Sequence, residues 1–178
     1  MAQHIVLLRG INLGPRNRIA MPELRDVLTA AGFEEVRTYL QSGNVVLSSK
    51  AKADEVARET RRQIAERFGL EIGVVTRTRA QLSRVVELNP LQKIVTNSKR
   101  YQVSFLDAKP TQDILRGVKE AAVPPEQVVA IGREIYAWHP DGIGRSRLWT
   151  LLAGGRLGVT ATARNWTTVT NLLSLARE

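Results

Sequence analysis

The chain has 178 residues, 43% hydrophobic and 24% charged, with a formal net charge of +9 and no cysteine. That size fits one ordinary domain or two small ones sharing a core, and the composition excludes a disordered chain. The missing cysteines exclude disulfides, thiolate metal sites and a cysteine nucleophile.

Residues 4 to 9 form an apolar run short enough for a strand buried on both faces. Pro22 suits a first helical position, and Leu24, Val27, Leu28 and Ala31 line one face of a helix that Gly32 ends. EVRTYLQ alternates Val36, Thr38 and Leu40 against Arg37, Tyr39 and Gln41, as a half-buried strand does. Ser42 and Gly43 supply a tight turn, and NVVLSS returns as the partner strand. ADEVARETRRQIAERFG predicts an amphipathic helix, with Val56, Thr60, Ile64 and Phe68 four residues apart and Gly69 as its stop. LEIGVVT closes the half as a fourth strand. The order β-α-β-β-α-β is that of a ferredoxin-like unit.

The second half partly repeats this order. A helix over 80–87 and the Asn89-Pro90 break precede the strand RYQVSFL. The helix TQDILRGVKEAA follows, with Thr111 as its cap. EQVVAIG and REIYAWH predict a hairpin around Gly132. Helices are expected at 146–153 and 165–176, with at most a short final strand, GVTA, at 158–161. The expected fold class is α+β: two similar ferredoxin-like subdomains packed into one compact unit. They would cover 1–78 and 79–178, the second carrying two extra C-terminal helices. No Pro-, Gly- or Ser-rich spacer separates them, and a monomer is expected.

Acidic residues are absent where arginines gather. No Asp or Glu precedes Glu23, while Arg9, Arg16 and Arg18 lie in that segment; none occurs between Asp141 and Glu178, a stretch holding Arg145, Arg147, Arg156, Arg164 and Arg177. In a split β-α-β unit the first strand and its crossover partner run parallel, so the loop RGINLGPRNR and the turn QSGN share one end of the sheet. Arg9, Asn12, Gln41, Ser42 and Asn44 could then face one concavity, with Gly10, Gly14 and Gly43 letting the backbone approach a ligand. The plainer alternative is that Gly43 and Asn44 only make a hairpin turn and Asn12 caps its own loop.

The stretches LLRGINLG, MPELRDVLTAAGFEEVRTYLQSGNVV, PDGIGRSRL and TARNWTTVTNLL resemble the bacterial family known as domain of unknown function 1697. The resemblance implies two similar ferredoxin-like α+β subdomains and no established activity. It points to Arg9, Gly10, Asn12, Gln41, Ser42, Gly43, Asn44, Gly142, Ser146, Arg164, Asn165 and Trp166 as the residues carrying the family pattern.

At the C-terminal side, PDGIGRSRL is a Gly-rich turn feeding a helix capped by Ser146, and TARNW is expected to open the last helix. Free N–H groups at a helix start beside Arg164 and Asn165 would suit a phosphate or carboxylate. Neither a phosphate-binding Walker loop nor a dinucleotide fingerprint is present, so no cofactor is expected. His4 and His139 each stand alone in the sequence at a strand end, without ligands at metal spacing, so no metal is expected.

No stretch is long and apolar enough for the ~20 residues that span a bilayer. The start, MAQHIVLLRG, lacks a basic segment ahead of its apolar run, so no signal peptide is read and a cytoplasmic location is expected. The best functional expectation is binding of a small anionic ligand in a cleft between the subdomains. Alternatives are nucleic-acid binding through a basic surface, motivated by a pI near 10.6, and a protein-interaction module without a ligand. Whether the chain is an enzyme is left open, since no general base is evident.

Overall fold

A computed structural model describes residues 1–177. Among them the chain forms two four-stranded antiparallel sheets, with strand orders β2-β3-β1-β4 and β6-β7-β5-β8, and six α-helices. By its contacts it divides into two units, Met1–Ser83 with the C-terminal stretch from Leu172, and Arg84–Asn171. No helix among the described residues is long and apolar enough to cross a membrane.

In the first unit β1 (Ala2–Leu8) lies between β3 (Asn44–Ser49) and β4 (Val74–Thr78), and β2 (Glu34–Tyr39) forms the outer edge beyond β3. The apolar run of β1 becomes an inner strand with Ile5, Val6, Leu7 and Leu8 buried, so both its faces are covered, as its lack of alternation requires. Its register sets Ile5 against Val46 on one flank and against Arg77 on the other. Helices α1 (Met21–Ala30) and α2 (Ala53–Phe68) lay Leu24, Leu28, Val56 and Ile64 on Val6, Leu8, Val45, Leu47 and Val74. Alternation along the strands puts Ile5, Leu7, Val46, Val75 and Arg77 on the opposite face, where all are buried. Pro22 occupies the first turn of α1, and α2 ends on Gly69 at φ 65°, its N–H closing on the Ala65 carbonyl.

The second unit repeats the arrangement. β5 (Tyr101–Leu106) lies between β7 (Glu134–Trp138) and β8 (Ala161–Asn165), with β6 (Gln127–Ile131) at the edge. α4 (Gln112–Ala121) and α5 (Arg147–Ala153) cover Leu106, Ile135, Ala137 and Ala161 through Val118, Leu148 and Leu152. Thr111 caps α4 through its hydroxyl, which accepts from the Ile114 N–H at 3.2 Å. α3 (Arg79–Leu88) follows β4, and α6 (Trp166–Leu175) follows β8.

Three expectations change here. The fourth strand of the first half is Val74–Thr78 rather than LEIGVVT, because Gly73 lies at its entry and pairing with β1 begins only at Val74. The last strand of the second half is Ala161–Asn165, not the short GVTA. Pairing with β5, Leu106 to Ala161 through Gln102 to Asn165, holds Arg164 and Asn165 in the sheet, so α6 starts at Trp166. The two expected extra helices are therefore interrupted: α5 precedes β8 and crosses over the sheet, and only α6 comes after it.

Candidate functional site

At one end of the first sheet, the connection 9–20 meets the turn between β2 and β3. The Leu8 N–H donates to the Gly43 carbonyl at 2.8 Å, and the Arg9 N–H to the Gly73 carbonyl at 2.9 Å. Asn12, itself at φ 55°, ties the pieces together: its Nδ2 donates to the Gln41 carbonyl at 2.7 Å and to the Ile19 carbonyl at 2.9 Å, while its Oδ1 accepts from the Ile19 N–H at 2.9 Å. The Asn17 amide donates to the Gly10 carbonyl at 3.2 Å. Asn44 is buried and donates to the Tyr39 carbonyl at 2.9 Å and to Ser42 Oγ at 3.0 Å.

Arg9, Gly10, Asn12, Gln41, Ser42, Gly43 and Asn44 are thus brought to one sheet end, and they differ in what they do there. Asn12 and Asn44 spend their amides on backbone carbonyls and the Ser42 hydroxyl, so they brace the loop and the turn from behind. Gly43 has φ 87°, and a Cβ there would lie 2.7 Å from Leu8 Cβ and 2.8 Å from Ile11 Cδ1. Only glycine lets the turn touch the end of β1 so closely. Around this braced frame, Gly10, Arg16 and Arg18 are exposed and Arg9 is half-buried.

The second unit repeats the frame with different chemistry. The Leu106 N–H donates to the Arg133 carbonyl at 2.9 Å, and the Asp107 N–H to the Thr160 carbonyl at 2.9 Å. These bonds match those of Leu8 and Arg9, so Asp107 stands where the first unit has Arg9. Its carboxylate oxygen accepts from the Thr160 N–H at 3.1 Å. The connection to the following helix is the short 107–111, where the first unit has 9–20.

Ser146, Arg164 and Asn165 take structural places in the second unit. Arg164 points from β8 into a buried environment, and its Nη1 donates to Thr162 Oγ1 at 2.6 Å and to the Ala163 carbonyl at 2.9 Å. Burial pulls its pKa down to about 10. Asn165 closes the strand and caps α6, its Oδ1 accepting from the Thr168 N–H at 2.9 Å. Ser146 caps α5, its Oγ accepting from the Trp149 N–H at 3.0 Å. At each of these helix starts the capping side chain thus takes up one backbone N–H.

Sequence reading missed one cluster. His139 does not stand alone: its Nδ1 lies 2.6 Å from Glu126 Oε2, and Ser146 Oγ donates to the same carboxylate oxygen at 2.5 Å. Ser146 Oγ is 3.3 Å from His139 Nδ1, and the ring meets Trp149 edge-on at 6.1 Å. A nucleophilic serine needs the imidazole nitrogen remote from the acid. Here serine and acid share Nδ1, while Nε2 is buried without a hydrogen bond, so the cluster joins β6, β7 and α5 rather than activating Ser146. Burial raises the Glu126 pKa, but hydrogen bonds from Ser146, His139 and the Val123 N–H outweigh it and hold the group below 4.5. Residues 126, 139 and 146 follow no local spacing, and only the paired strands reveal them. Among the described residues no group of side chains is arranged to hold a metal ion.

These features define an α+β protein of two four-stranded antiparallel sheets and six α-helices among the described residues. The chain belongs to the family described as Protein of unknown function (DUF1697), whose model matches residues 1–136. It is similar to the solved structure of the conserved bacterial protein SP0830 from Streptococcus pneumoniae. The TM-score is 0.82 at 19% identity, over 98% of either chain, a likeness that bears on the fold alone. No curated protein matches it significantly.

Proposed function

We propose that the two units are ferredoxin-like subdomains, 1–78 and 79–178, and that the first binds a small phosphate- or carboxylate-bearing ligand where the 9–20 loop meets the β2–β3 turn. The observation that carries this reading is the asymmetry of the repeated frame. One copy has Arg9, a long acid-free loop and the exposed Arg16 and Arg18; the other has Asp107 and a short loop. Arg9, Arg16 and Arg18 supply positive charge, and Arg suits bidentate capture of phosphate or carboxylate. Gly10, exposed at φ 68°, offers its backbone N–H. Gln41 and Ser42 line the neighbouring turn, and Asn12, Gly43 and Asn44 keep loop and turn in register. Arg164, Asn165 and Ser146 contribute to the second unit's architecture in this reading.

Titration with inorganic phosphate, pyrophosphate and a dicarboxylate, followed by calorimetry and amide chemical shifts, tests the proposal. Binding should perturb the amides of residues 9–18. The exposed pair R16A/R18A should weaken it about tenfold, the ~1.4 kcal/mol of one charge-assisted contact. Absence of binding at millimolar concentration, or binding indifferent to that pair, overturns it. The net charge of +9 supports a second reading, nucleic-acid binding. That reading predicts an affinity falling steeply with salt, with a slope of about −0.9 per phosphate contact on duplex DNA.

A further inference from the structure

The two sheets end on matching outer strands that are protected very differently. β2 (EEVRTY) carries Glu34, Glu35 and Arg37, its register with β3 shifts between Glu34 and Arg37, and Glu35 is forced to φ 50°. Charges and a bulge are what keep an edge strand from pairing with another chain. β6 (QVVAI) holds the same position in the second sheet and has neither. It contains no charged residue, and it pairs with β7 without a break from Gln127–Trp138 to Ile131–Glu134.

The geometry of the hairpin decides which backbone groups of β6 are left over. With Gly132 and Arg133 as a two-residue turn, Ile131, Val129 and Gln127 direct their backbone groups toward β7. Val128 and Ala130 direct theirs outward, and among the described residues no backbone group outside the sheet meets them. Gln127 and Ala130 are exposed, and Val128, Val129 and Ile131 are half-buried, so the edge is open and mostly apolar.

We propose that β6 is a self-association edge, and that its partner is the β6 of a second copy of this chain, joined antiparallel about a two-fold axis at Val129. In that register Val128 of one copy faces Ala130 of the other. Their outward N–H and C=O groups then satisfy each other in both directions, the arrangement of a closely hydrogen-bonded antiparallel pair. Gln127 faces Ile131, and Val129 faces its own copy, a β-branched pair that packs well across strands. No like charges meet, because the strand has none. The nearest ionisable residues, Glu126 and Arg133, lie outside the paired segment, and the Glu126 carboxylate is already bonded to Ser146 and His139. The contact is isologous and closes at two copies, giving one eight-stranded sheet. The bulged, charged β2 is poorly suited to the same pairing. The inference does not depend on the anion-binding reading.

Sedimentation velocity of the full chain across a hundredfold concentration range tests it. The wild type should shift with concentration from 19.8 kDa toward twice that mass. Val129→Lys places like charges face to face on the two-fold and should keep the protein monomeric throughout. Ala130→Pro removes an outward donor without touching the bonds to β7, and proline is tolerated on an edge. It should also abolish association, with the circular dichroism and the melting temperature of the monomer nearly unchanged. A wild type monomeric at every concentration overturns the proposal. So does a dimer that survives both substitutions, which would place the interface elsewhere.

Discussion

At the scale of single residues, Gly43 and Asn12 dominate the end of the first sheet. A Gly43→Ala substitution puts a Cβ 2.7 Å from Leu8 Cβ at φ 87°, combining left-handed backbone with a clash against a strand end. The expected cost is about 2–4 kcal/mol, read as a lowered denaturant midpoint at unchanged slope. Asn12→Ala removes the amide serving the Gln41 and Ile19 carbonyls and the Ile19 N–H. It should destabilise by about 2–3 kcal/mol and speed hydrogen exchange first at Ile19. Both positions were legible in the sequence as a Gly-Asn turn and an Asn-bearing loop. Their division of labour was not: whether an asparagine faces a ligand or braces its own loop depends on where carbonyls from residue 41 arrive.

At the scale of elements, α5 is short and depends on its cap. Ser146→Ala removes the hydroxyl that accepts from the Trp149 N–H and donates to Glu126. The cap alone is worth about 1 kcal/mol, and losing a partner of the half-buried Glu126 carboxylate adds to it, so a thermal melt should show a loss above that figure. The same cluster sets a sign for acid stability. Glu126 has a folded pKa below its unfolded 4.5, so its contribution is present above 4.5 and is lost as pH falls through the folded value. Urea titrations from pH 6 to 3 should show a smaller acid-induced loss in Glu126→Gln than in the wild type, from a lower starting stability. A Gln variant with the same pH slope would assign that loss to other carboxylates. The helices α1, α2, α4 and α5 were legible because apolar spacing, Thr111, Ser146 and Gly69 are local signals. β8 was not, since Ala161–Asn165 is made a strand by β5 beside it. The tie of His139 to Glu126 likewise exists only because β6 and β7 pair.

At the scale of the whole molecule, the pH profile of stability also carries a histidine. His4 is buried in β1 with neither ring nitrogen hydrogen-bonded. Desolvation lowers its pKa below 6.5, offset only in part by backbone groups of Ser49 and Ala51 that make no well-formed hydrogen bond to the ring. The folded chain therefore holds it neutral, and stability should decline as pH falls from about 6.5 toward the lowered folded value. His4→Leu removes a buried unsatisfied ring, so it should flatten the melting temperature between pH 7 and 5.5 without lowering it at pH 7. A melting temperature that falls equally in both proteins would remove His4 as the cause. The repeated β-α-β-β core was legible in both halves, and the closing strand that completes the β-α-β-β-α-β order was legible only in the first. The asymmetry between Arg9 and Asp107 emerged only when equivalent backbone hydrogen bonds aligned the two copies.

In both units the fourth strand passes into a helix with no connecting loop: β4 ends at Thr78 and α3 begins at Arg79, and β8 ends at Asn165 and α6 begins at Trp166. The last strand residue is also the cap, Thr78 Oγ1 accepting from the Gln81 N–H at 3.2 Å as Asn165 Oδ1 accepts from Thr168. Such a junction has no slack for length variation. One residue inserted between Asn165 and Trp166 would turn the helix by about 100° relative to the sheet. The buried Val169, Leu172, Leu173 and Ala176 would be carried off their seats, and the capping oxygen would meet the wrong amide. Insertions and deletions fixed over time should therefore collect in exposed connections such as 92–94, and these two seams should keep their length.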